Sequence, residues 1–160
     1  MSIWTHINGN IRLDEFINHN NEKVKSILGK MAAYKKEKSG LPIEDFSILK
    51  EDIKLPYGSE GSILYSVITN TDESSLPAHS ISLWGDLRDF DINSVEDSLT
   101  PWFKNILSEF IREKLIVRNA ILQAEVETGV TFILIADTNN MNIQKNTIDV
   151  KIIKLKETDF

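Results

Sequence analysis

The chain has 160 residues, the usual size of a single domain, with 41% hydrophobic and 26% charged residues and a net charge of −6. It contains no cysteine, which excludes disulfides, thiolate zinc sites, iron–sulfur clusters and cysteine nucleophiles. The acidic balance argues against general nucleic-acid binding, because neutralising phosphates requires a surplus of Lys and Arg.

Residues 3–13 alternate, with Ile3, Ile7, Ile11 and Leu13 on one side and Trp4, His6, Asn8 and Arg12 on the other. A period of two marks a half-buried strand. From Glu22 to Lys38 the period becomes helical: Val24, Ile27, Leu28, Met31 and Tyr34 form a stripe, and Ser39-Gly40-Leu41-Pro42 ends it. Residues 43–57 read as a polar connection with a few apolar anchors. The loop from Pro56 to Ser62 leads into a strand from Ile63 to Thr69, a polar turn from Asn70 to Ser75, and a second strand from His79 to Gly85. So short a connection predicts an antiparallel hairpin. Thr100 is placed to cap a helix with Pro101 at its first position, and Trp102, Phe103, Ile106, Leu107, Phe110 and Ile111 supply the buried stripe. Strands over 116–127 and 130–136 follow, then an Asn-rich loop over 137–146 and a final alternating strand over 147–156.

The order β-α-β-β-α-β-β-β predicts a single α+β domain over residues 1–160. Its first six elements match the split β-α-β arrangement of ferredoxin-like domains, here extended by C-terminal antiparallel strands. The opening segment MSIWTHINGNIRLDEF lacks the basic and apolar regions of a signal peptide. No apolar run approaches the roughly 20 residues that span a bilayer. A cytoplasmic protein with no membrane attachment is expected.

Few chemistries survive inspection of the residues. His6, His19 and His79 are too scattered for a metal site. There is no Gly-x-Ser-x-Gly elbow, and Gly58-Ser59-Glu60-Gly61-Ser62 is not a phosphate loop, since a strand follows it instead of a helix. Asp86, Asp89 and Asp91 lack the distal glutamate of a calcium loop and read as a solvated acidic turn. No catalytic residue, metal or cofactor is therefore expected, and the chain does not read as an enzyme. Charge is unevenly spread, with six lysines against two glutamates from Glu22 to Lys38 and five acidic residues against one arginine from Gly85 to Pro101. Such asymmetry suits either two solvated faces or a docking surface for a protein.

One region could form a site. Antiparallel pairing of the hairpin sets Ile63 opposite Gly85 and brings Ser59 to Gly61 near Leu87 to Asp89. The glycines can bare backbone N–H groups, Ser59 and Ser62 add hydroxyls, and Arg88 offers a bidentate fork. Ser59, Glu60, Gly61, Ser62 and Arg88 are thus candidates to bind a small anion such as a nucleotide, or a partner's carboxylate. The simpler expectation is a structural corner in which Arg88 pairs with Glu60 or a neighbouring aspartate. Glu60, Asp86 and Asp89 would repel an anion, which favours the corner.

The segments Trp4-Thr5-His6 with Asn8-Gly9 and Ile11-Arg12, Leu55-Pro56-Tyr57-Gly58-Ser59-Glu60-Gly61-Ser62, and Gly85-Asp86-Leu87-Arg88-Asp89-Phe90 together resemble small uncharacterised proteins encoded by phages and prophages of Gram-positive bacteria. The resemblance implies a non-catalytic accessory protein that binds and modulates a host protein, for example as an inhibitor of a host defence system. A sequestrant of a small anionic ligand and an acidic immunity protein against a toxin are the alternatives. The apolar strands near the C-terminus exceed what one small sheet face needs, and sheet edges pair readily, so a homodimer is also expected.

Overall fold

Alternating burial builds the strands β1 (Trp4–Asp14), β2 (Ile63–Thr69), β3 (Ala78–Arg88), β4 (Ile116–Val126), β5 (Val130–Asn142) and β6 (Thr147–Lys156). They pair into one antiparallel sheet in the order β2-β3-β1-β4-β5-β6. The computed structural model describes residues 2–15, 21–31, 56, 58–70 and 77–156. Helix α1 (Glu22–Met31) is followed by a short α2 (Ile92–Ser94), a π-helical stretch (Val95–Leu99) and α3 (Thr100–Arg112). The expected continuation of α1 to Lys38, its Gly-Pro stop, and nearly all of the 43–57 connection lie outside the described residues.

Among the described residues, one face of the sheet is covered and the other is open. Ile7, Ile11, Leu13, Ile81, Leu83, Ala120, Leu122, Phe132 and Leu134 are buried in one cluster with Val24 and Leu28 of α1 and Trp102, Phe103, Ile106 and Phe110 of α3. Both helices therefore pack on the same side. Among the described residues no helix is long and apolar enough to cross a membrane.

The second helical segment begins earlier than the sequence predicts. Thr100 is not its cap: it already has helical dihedrals (φ −64°, ψ −49°), and its N–H and hydroxyl both bond the Val95 carbonyl. The cap is Asp91, whose carboxylate accepts from the Ser94 N–H and hydroxyl, each at 2.9 Å. Those bonds, the backbone one first, hold the Asp91 carboxyl below its usual range. The π-helical stretch has a local cause. Pro101 has no N–H to donate and its ring crowds the carbonyl four residues back, so the turn widens just before it.

Strand β5 also outruns expectation, since Asp137 to Asn142 extend it where the sequence suggests a loop. Pairing of Asn142 with Thr147 holds this polar end in the ladder, across a register shift after Asp137. At the shift Asp137 is buried and accepts from Asn140 Nδ2 at 2.9 Å and Lys151 Nζ at 2.9 Å. The lysine hydrogen bond is the main reason its carboxyl titrates below the ordinary value.

Candidate functional site

The hairpin register places Ile63 opposite Gly85, so Ser59 to Ser62 do meet the end of β3. The Ser59 N–H donates to the Arg88 carbonyl at 2.8 Å, and the Arg88 N–H donates to the Glu60 carbonyl at 3.0 Å. Gly61 sits at φ +85°, and a Cβ there would collide with the Asp86 carbonyl oxygen. Glycine is needed because the loop lies flat against the strand. A Cβ on Gly58 would likewise strike the Arg88 backbone.

The side chains close this corner on itself. Arg88 Nη1 donates to Glu60 Oε1 at 2.6 Å and Nη2 to Ser2 Oγ at 2.8 Å, while the Ser59 hydroxyl donates to Asp89. Arg88 Nε is buried with no hydrogen-bond partner among the described residues. The structure thus brings Ser59, Glu60, Gly61 and Arg88 together, but the two terminal nitrogens of the arginine and the Ser59 N–H are already engaged. Both Asp86 and Asp89 flank it. Replacing Arg88 with Ala should lower stability by about 1 kcal/mol, the upper end for a solvent-screened ion pair, here between a partly exposed arginine and an exposed glutamate. Added phosphate should leave the wild-type melting temperature unchanged; a phosphate-dependent rise that Arg88→Ala abolishes would restore an anion site.

The acidic residues near it have separate tasks. Asp86 lies on β3, Asp89 turns the chain at φ 55°, and Asp91 caps α2. No group of three or more potential metal ligands gathers among the described residues.

The open sheet face presents a second surface. Cross-strand pairs line up one row of Leu64, Trp84, Asn8, Gln123, Ile133 and Ile153 and a second of Ser66, Ser82, Asn10, Ile121, Ile135 and Lys151. Leu64, Trp84 and Ile153 are 50%, 42% and 44% exposed. Apolar groups thus stand at both ends of the first row, and on β4 and β5 in the second, around a middle strip of amides. Toward one end lie Asp86, His6 and Glu125, with His6 Nδ1 donating to Asp86 Oδ1 at 2.6 Å. That hydrogen bond first, aided by the charges of Asp86, Glu127 and Glu125, raises the His6 pKa above its ordinary value.

Sequence reasoning missed this surface. Its signal was Trp84, an aromatic residue on the polar phase of the alternating Ser80-Ile81-Ser82-Leu83-Trp84 strand. It also missed a buried polar group beneath the opposite end of the sheet. His79 is fully buried, with Nδ1 3.0 Å from Thr69 Oγ1 and Nε2 3.3 Å from Glu15 Oε2. Glu15, itself buried, also accepts from Lys23 Nζ at 2.9 Å.

Comparisons of the chain with protein-family models, with curated proteins and with solved structures return no match.

Proposed function

We propose that the protein is a non-catalytic binding protein of phage type that docks on a host protein through the open face of its sheet. The observation that carries this reading is the cross-sheet row Leu64–Trp84–Asn8–Gln123–Ile133–Ile153. Large apolar side chains left in water on a flat, hydrogen-bonded surface cost solubility, and such patches are typical of interaction sites. Tryptophan is the residue type most enriched among those that dominate binding energy. The amides of Asn8, Asn10 and Gln123 can pair with a partner's backbone, and the acidic end at Asp86 and Glu125 favours a partner with a basic rim.

The scaffold proposed for this surface is the ferredoxin-like split β-α-β core, with β5 and β6 as its extension. Its support is the order β2-β3-β1-β4, antiparallel throughout, with α1 and α3 on one side.

The test compares wild type with Trp84→Ser and Leu64→Ser for affinity toward a partner first captured from host lysate and then purified. Trp84→Ser should weaken binding by about 30-fold or more, the scale of a central anchor, with the melting temperature nearly unchanged. Unaltered affinity in both variants would reject the open face as the docking surface.

A further inference from the structure

We infer that β6 is the contact strand of a symmetric homodimer, pairing antiparallel with β6 of a second copy about a twofold axis through Val150. Strand β6 ends the sheet, so one row of its backbone N–H and C=O groups faces no strand among the described residues. Proteins commonly blunt such an edge with lysines projecting from it. Here two of the lysines fold back onto their own chain. Lys151 Nζ lies 2.9 Å from Asp137, and Lys154 Nζ lies 2.9 Å from Glu96 and 4.9 Å from the Phe132 ring centre. The strand instead exposes Ile152 and Ile153, which are 48% and 44% accessible and point to opposite faces of the sheet. Each flank of the edge therefore carries an exposed isoleucine, which a strand laid alongside would cover.

The side chains also select the register. With Val150 opposite the partner's Val150, Lys151 faces the partner's Asp149, Ile152 faces the partner's Ile148, and Ile153 faces the partner's Thr147. The axis makes each pair twice, including two reciprocal lysine–aspartate pairs, for which Lys151 turns from Asp137 and Asp149 from Lys104, whose Nζ lies 3.1 Å away within the chain. Moving the axis to Lys151 would set that lysine against its own copy, and moving it to Asp149 would do the same with aspartate. Like charges directly opposite each other oppose pairing, and opposite charges support it. A twofold at Val150 is thus flanked on both sides by repulsive registers. Edge and open face share Ile153 and Lys151, but the dimer is read on the chain alone, so it stands or falls separately from the open-face partner.

Charge reversal tests both the strand and the register. Light scattering of the wild type should give twice the 18.2 kDa chain mass. Asp149→Lys and Lys151→Asp should each weaken association by about tenfold or more, since each sets like charges face to face twice. The double variant should restore wild-type affinity, with thermal melts confirming that every variant is folded. Val150→Cys supplies a second readout in a chain that otherwise has no cysteine: a short thiol cross-linker should trap the dimer at this position. A wild type that stays at monomer mass at its highest soluble concentration overturns the proposal. So does a dimer indifferent to both single reversals, or one that Val150→Cys fails to cross-link.

Discussion

Replacing Phe103 with Ala should lower the stability of the fold by about 3–5 kcal/mol, as expected for removing a fully buried phenyl ring. Phe103 lies on the covered side of α3, is wholly inaccessible, and belongs to the cluster that joins both helices to the sheet. Its loss removes apolar burial and leaves a cavity that the neighbouring Ile106, Phe110 and strand side chains can only partly fill. For a chain of this length the melting temperature should fall by roughly 10 °C. Because the core is one cluster, the transition should remain single, and denaturant unfolding followed by tryptophan fluorescence and by circular dichroism should coincide. The control is Lys104→Ala on the exposed side of the same helix, where the change should stay within about 0.5 kcal/mol. A Phe103→Ala loss below about 1 kcal/mol, or two separate transitions, would mean that α3 does not close the core.

The parts of this fold that the sequence announces are those where side-chain period and chain length act alone. Ile63–Thr69 alternates in burial, Thr147 to Ile152 alternates in sequence, and both strands have the expected bounds. The hairpin register is legible because few residues join its strands, so Ile63 has little choice but to face Gly85. Where pairing or capping depends on something distant, local reading falls short. Pro101 looks like a helix start because proline is tolerated there, yet the capping bonds come from Asp91, ten residues upstream. Asp137 to Asn142 look like a loop by composition, and become strand because Thr147 onward supplies a partner. The candidate corner was legible in position and composition. The partners of Arg88 were less so, because one of them is Ser2, remote in sequence and brought close only by the β1–β3 pairing.

The buried polar group at the end of β1 was invisible for the same reason, and its removal is the second large effect expected. Glu15 joins three elements: its backbone N–H bonds the Pro77 carbonyl at 3.0 Å, and its carboxylate meets Lys23 of α1 and His79 of β3. A carboxylate this sheltered is tolerable only while its oxygens are matched. In the neutral imidazole, an Nε2–H that donates to Glu15 leaves Nδ1 to accept from the Thr69 hydroxyl, so both ring nitrogens are satisfied. Glu15→Ala should cost about 3 kcal/mol, because it strips His79 of a partner in a site without solvent access and opens a void. The lysine adds less to that figure, since its side chain is 35% exposed and can turn to water. Glu15→Gln retains an acceptor for His79 and should cost about 1 kcal/mol. His79→Leu keeps the volume but leaves Thr69 Oγ1 and Glu15 Oε2 without their partner, and should fall between the two. Combining Glu15→Leu with His79→Leu should cost clearly less than the sum of the single changes, because the second substitution removes a polar group that the first had left unmatched. Chemical denaturation of Glu15→Leu, His79→Leu and the combined variant measures this coupling. Strict additivity would show that Glu15 and His79 act independently, and a cost for Glu15→Ala below about 0.5 kcal/mol would show that the carboxylate contributes nothing to holding α1 on the sheet.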